Sequence, residues 1–231
     1  PSSSSRKSST GVSWGVSTVA SGSHVFDDGS STVPQDRFVV SSPWVIKDSV
    51  DSYRIWLTVG LSNSTGSQVN DNANIYYLTA SNPVVFSGDT LAVARGALSQ
   101  SAEAAKQPCV LQESVNSYKM WYTGLDVARV PRIIRAISTN GISWASHTVA
   151  VNTGQMVLGY DATGAYRPCV LNDGLYRMWY TGVDSQGLER ILYTQSANGT
   201  TWEAPRLILN LAAEGVMDRR GCARAYVLQK D

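Results

Sequence analysis

Three aspartates recur at one offset. Asp36, Asp161 and Asp218 each stand seven residues before the same point of a repeated segment, occupied by Pro43, Pro168 and Ala225; the remaining copy has Ser101 before Pro108. In a fold whose repeats radiate from an axis, positions that share an offset project toward that axis. Three carboxyls at the mouth of a funnel would repel one another and raise at least one pKa, giving an acid–base set or a cation site. Aspartate also caps loops, because its side chain accepts hydrogen bonds from nearby backbone N–H groups. The residues alone leave both readings open.

One position before the proline, Arg167 and Arg224 recur, with Gln107 and Ser42 in the other copies. An arginine on an innermost strand is costly to hide unless it meets a carboxylate or a ligand. These side chains therefore either pair internally with Asp161 and Asp218 or hold something that enters the funnel. Asp126 with Arg132 and Asp184 with Arg190 repeat at equal spacing across a turn and read as rim ion pairs. His24 and His147 lack ligand-spaced partners, so no zinc or other metal site is expected. No nucleophile elbow, phosphate loop or dinucleotide fingerprint is present, and no cofactor is expected.

The elements that position these residues are repeated strands. Tyr118-Lys119-Met120-Trp121-Tyr122-Thr123-Gly124 recurs as Tyr176-Arg177-Met178-Trp179-Tyr180-Thr181-Gly182, and more loosely from Tyr53 to Gly60. Each copy follows a Pro-[Trp/Cys]-Val-[Ile/Leu] segment and a short polar turn, which reads as a hairpin. Third strands are expected over Asn74 to Ala80, Arg132 to Ile137 and Arg190 to Gln195. Turns with Asn140-Gly141 and Asn198-Gly199 then lead to fourth strands over His147 to Val151 and Arg206 to Leu209. Ser8 to Trp14 is a further copy of that turn.

Four strands in each unit of about 60 residues, three times over, specify an all-β protein: a β-propeller of four-stranded antiparallel blades. Trp56, Trp121 and Trp179 should pack between blades. Trp44, Cys109, Cys169 and Tyr226 align and should be buried core positions, with no disulfide between Cys109 and Cys169. The closing segment Arg224 to Asp231 matches the inner strand at Arg167 without the strand that should follow. Residues 1–231 thus read as a single propeller domain, either a fragment or a ring closed between its termini, with residues 1–7 a flexible arm.

The order Asp-x-x-Gly-x-x-Arg-Pro-x-Val, Tyr-Arg-Met-Trp-Tyr-Thr-Gly and Ser-x-Asn-Gly-x-x-Trp resembles the five-bladed propellers of the arabinanase, levansucrase and invertase superfamily. The resemblance covers most of residues 8–231. It implies a glycoside hydrolase-like protein that acts on or binds a glycan on the face carrying the loops into the inner strands. Asp36, Asp161 and Asp218 would do acid–base work, since glycosidic cleavage needs one group to protonate the leaving oxygen and another to assist attack. Arg167, Arg224 and Gln107 would orient sugar hydroxyls or an anionic sugar. The characteristic catalytic Glu string of those families is not recognisable here, and the alternative to the hydrolase-like reading is a non-catalytic lectin or protein-interaction platform.

Composition excludes other partners. Nineteen basic residues face 18 acidic ones, a net charge of +1, so no basic field for nucleic acid stands out. The longest apolar runs are strand-length, and no membrane span is expected.

Overall fold

The computed structural model describes residues 38–61, 72–81, 86–211 and 221–228. The Ser8–Trp14 turn, residues 1–7, Asp36 and Asp218 lie outside them. Among the described residues twelve strands form three antiparallel sheets of four, each in sequential order. The first blade comprises β1 (Phe38–Ser49), β2 (Ser52–Leu61), β3 (Asn74–Ala80) and β4 (Phe86–Val93). The second comprises β5 (Ala104–Ser114), β6 (Ser117–Leu125), β7 (Pro131–Ser138) and β8 (Ala145–Val151). The third comprises β9 (Gly164–Asn172), β10 (Tyr176–Val183), β11 (Glu189–Ser196) and β12 (Arg206–Leu209). Third and fourth strands lie where the repeat predicts them, within a residue or two. The helical content of the described residues is one short 3-10 turn, Ser99–Ser101.

Apolar side chains from consecutive blades fill the spaces between them. Trp56 and Ile75 of the first blade pack with Val110, Met120 and Ile134 of the second. Trp121 and Ile133 pack in turn with Val170, Met178 and Leu192 of the third. The tryptophans of the second strands also bind the next blade directly. The Trp56 indole N–H donates to the Gly141 carbonyl at 2.8 Å, and that of Trp121 donates to the Gly199 carbonyl at 3.3 Å. Both glycines have left-handed backbone, φ 74° and 71°, and a Cβ there would come within 3.2 Å and 3.0 Å of the indole rings. Asn-Gly is therefore needed twice over, by the turn and by the ring pressed against it. Ser138 and Ser196 brace these turns, each accepting the glycine N–H at 2.8 Å and 2.9 Å.

The hairpin ion pairs form as expected. Arg132 binds Asp126, and Arg190 binds Asp184 at 2.6 Å. Each aspartate also closes its turn, Asp126 accepting the amides of Ala128 and Val130, and Asp184 those of Gln186 and Leu188. Burial alone disfavours both charges, but the amide donors and the arginines outweigh it and hold both carboxyls below their ordinary pKa. A carboxyl whose folded pKa is depressed stabilises the fold above its unfolded pKa of about 4, and that contribution is lost as pH falls through the folded value. The double variant Asp126→Asn, Asp184→Asn is expected to be less stable than the parent near pH 7. Urea midpoints of the two proteins should converge as pH falls through the folded-state pKa of the two carboxyls, below which the parent side chains are also neutral. A gap that persists unchanged at the acid end would show that charge is not the cause.

Candidate functional site

The inner strands carry a bulge wherever the sequence has its proline. Pairing of β1 with β2 slips between Ser41 and Trp44, that of β5 with β6 between Lys106 and Cys109, and that of β9 with β10 at the same place, opposite Trp179 to Thr181. Proline has no N–H to give to a ladder, so an interruption there is physically favoured. The residue before each proline absorbs the kink in left-handed conformation: Ser42 at φ 51°, Gln107 at 58° and Arg167 at 55°. Arg224, before Ala225, has φ 66°.

These conformations are held from the neighbouring blade. The backbone N–H of Gln107 donates to Thr58 Oγ1 at 2.8 Å, that of Arg167 to Thr123 at 2.9 Å and that of Arg224 to Thr181 at 3.2 Å. One residue beyond the proline, the side chain in turn bridges to the next inner strand. Trp44 Nε1–H donates to the Val110 carbonyl at 2.8 Å. The Cys109 sulfur accepts the Val170 N–H at 3.2 Å, and that of Cys169 the Val227 N–H at 3.3 Å. Both thiols are free and buried, without a disulfide. Residues 221–228 thus run beside β9 as a fourth inner segment.

A non-glycine residue in the left-handed region costs of order 1 kcal/mol or more, and bulges re-aim side chains. Here the four-fold repetition of that strain points Ser42, Gln107, Arg167 and Arg224 into one cavity of about 400 Å³. Its wall also includes Trp44 and Tyr226, whose rings lie 5.6 Å apart at a tilt of 58°. Tyr226 was expected to be buried like the cysteines it aligns with, and it is not: 64% of it is exposed. Its ring leans on Trp44 across the cavity instead of entering a space between inner strands.

Arg167 is half-buried, with its guanidinium 5.1 Å from the Tyr166 ring centroid. Burial lowers its pKa, and the nearby Arg224 lowers it further against the opposing pull of Tyr166 and Glu189. Glu189 is engaged by the Tyr166 hydroxyl. Gln107 turns its carbonyl to the Thr123 hydroxyl at 2.8 Å.

The structure brings Gln107, Arg167 and Arg224 together and leaves Asp161 out. Asp161 is wholly buried; Oδ1 accepts the Met156 N–H at 3.0 Å and Oδ2 accepts the Tyr180 hydroxyl at 3.2 Å. Its backbone carbonyl accepts the Gly154 N–H at 2.9 Å. The aligned Ser101 behaves in the same way: it is buried, its hydroxyl bonds to Leu98, and its carbonyl accepts the Gly96 N–H at 2.8 Å. In both described copies this offset is a loop-capping position, and of the two open readings of Arg167 the ion pair with Asp161 does not form. No group of three or more metal-ligating side chains occurs among the described residues.

No family model matches the chain, and no curated protein does. Solved structures do. A family 117 glycoside hydrolase, Zg3597, from Zobellia galactanivorans superposes with TM-score 0.59 at 11% identity, covering 73% of this chain and 55% of that one. An N-acetylgalactosamine deacetylase from F. plautii, in complex with blood group B trisaccharide, superposes with TM-score 0.59 at 12% identity, covering 79% and 56%. Fructan 1-exohydrolase IIa from Cichorium intybus matches with TM-score 0.53 at 15% identity, covering 66% and 29%. The chain thus spans little more than half the length of the first structures it matches. At these identities the likeness is one of fold. The protein is an all-β chain with the blade architecture of the propeller glycoside hydrolases.

Proposed function

We propose that this protein binds carbohydrate in the cavity at its inner strands. One observation carries the reading: four residues in repeated left-handed bulges converge on a cavity with an aromatic pair in its wall. Sugars present an apolar C–H face and a periphery of hydroxyls. Trp44 and Tyr226 offer rings for the first, and Ser42, Gln107 and the arginines offer hydrogen-bonding groups for the second. The matched structures support the same ligand class, being glycoside hydrolases and a deacetylase in complex with a trisaccharide.

Cleavage is the second reading, with Asp36, Asp161 and Asp218 as the acid–base set. A carboxyl that protonates a glycosidic oxygen must touch it, and Asp161 has no accessible surface. Binding therefore stands ahead of catalysis. A glycan-array screen followed by calorimetric titration tests it. Tyr226→Ala removes an exposed ring and should leave the fold intact while weakening binding about tenfold, or ~1.4 kcal/mol. Full affinity in that variant, or no bound glycan at all, would refute the assignment.

A further inference from the structure

We infer that the cavity is built for an acidic sugar, whose carboxylate or sulfate ester is held between Arg167 and Arg224. The inference rests on the carbohydrate reading and adds the charge of the ligand.

Four of the other described arginines sit in ion pairs with carboxylates. Arg54 is paired with Asp48, Arg132 with Asp126, Arg177 with Asp173 and Arg190 with Asp184. Arg167 and Arg224 have no such partner among the described residues, although both reach the same cavity. No described carboxylate lines that cavity. Among the described acids Glu189 acts on Arg167, but it does not form an ion pair with it and instead accepts the Tyr166 hydroxyl. Asp161, one candidate partner for Arg167, is enclosed in its own loop with both oxygens bonded.

Two guanidiniums near each other, one of them half-buried, repel and lose hydration together. An anion placed between them relieves both costs. The guanidinium fork matches a planar carboxylate in bidentate fashion and also suits the oxygens of a sulfate. The backbone keeps both side chains there despite strain: each arginine sits at positive φ and is fixed by a threonine hydroxyl of the preceding blade. Strain of this kind persists only where surrounding structure over-determines it, and it gathers at ligand sites. A neutral sugar would accept hydrogen bonds from the guanidiniums but would bring no charge to set against them. The aromatic pair Trp44 and Tyr226 on the cavity wall supplies the surface for the sugar ring that carries the acid.

Titration calorimetry at low salt with six ligands tests this: galacturonate and glucuronate oligosaccharides, their two carboxyl-reduced neutral counterparts, and a galactan oligosaccharide with and without its sulfate. At least one acidic ligand should bind ten-fold or more tightly than its neutral counterpart, and the difference should shrink in salt. Whether the uronates or the sulfated sugar shows it tells carboxylate from sulfate as the recognised group. Arg224→Gln, at an exposed position, and Arg167→Gln should each remove most of that preference, lowering affinity for the acidic sugar far more than affinity for its neutral counterpart. Equal binding of acidic and neutral sugars would overturn the inference and leave the carbohydrate reading standing. An acidic preference that survives both substitutions would overturn it too, since the charge would then lie elsewhere. Failure of every saccharide to bind would overturn both.

Discussion

Trp121→Ala is expected to destabilise the protein by about 4 kcal/mol, the upper range for removing a buried tryptophan. The loss has three physical parts. The side chain is fully buried in the cluster that joins the second and third blades. Its indole N–H satisfies the Gly199 carbonyl of the next blade, and deleting it strands that carbonyl in the interior. Its ring also packs against Tyr176 at 5.7 Å and edge-on against Trp202 at 6.2 Å, contacts that a cavity would forfeit. Trp179 is the matched control. It holds the same place in the repeat, yet it is only half-buried and its described ring contact is Tyr193 of its own blade, at 5.2 Å. Trp179→Ala should therefore cost about 1–2 kcal/mol. Urea unfolding of the two variants measures the difference directly. Equal losses would show that the inter-blade lock adds nothing beyond burial of a large ring.

The same comparison shows what was legible in the sequence. A Tyr-x-Met-Trp-Tyr-Thr-Gly string with its Trp at one phase exposes blade repetition, because a strand that must pack on both neighbours repeats its apolar pattern. The hairpin pairs Asp126–Arg132 and Asp184–Arg190 were legible for a related reason: both partners lie within one turn, so their spacing alone brings them together. The matched Pro-preceding positions were legible as a set, and they do meet in one cavity. The bulge that aims them was not, since positive φ at Ser42, Gln107 and Arg167 violates the ordinary preference of each residue. It is imposed by a missing proline N–H and by a threonine on the adjacent blade, a partner 44 to 49 residues away for Arg167 and Gln107. Tyr226 misled for the opposite reason. Its alignment with two buried cysteines is correct in backbone, but no described inner strand follows residues 221–228 to cover it as β9 covers Cys109, and its ring lies against Trp44.

Offsets counted along a chain also assume that the loop between takes one path, and this is where the carboxylates are decided. Between Asn152 and Thr163 the chain folds on itself, Gly154 reaching Asp161 and Gly159 reaching Met156, and that turn draws the Asp161 side chain inward. Ser101 does the same work in the second blade, with Tyr122 in the place of Tyr180. Shared offset here reports a shared loop, and a loop cap makes definite predictions. Asp161→Ala leaves the Met156 N–H and the Tyr180 hydroxyl unpaired in a dry site and should cost about 3 kcal/mol. Asp161→Asn keeps an acceptor for Met156 and lets the amide donate to the Tyr180 oxygen, so about 1 kcal/mol is expected. Neither substitution should alter carbohydrate affinity at temperatures where the variants remain folded, because the side chain reaches no ligand. An acid–base role predicts the reverse pattern: Asp161→Asn with parental stability and no turnover on a chromogenic glycoside panel that the parent cleaves. Thermal unfolding and that panel, run on the same three proteins, separate the two, and the enclosure of Asp161 by Met156 and Tyr180 sets the expectation on the side of the cap.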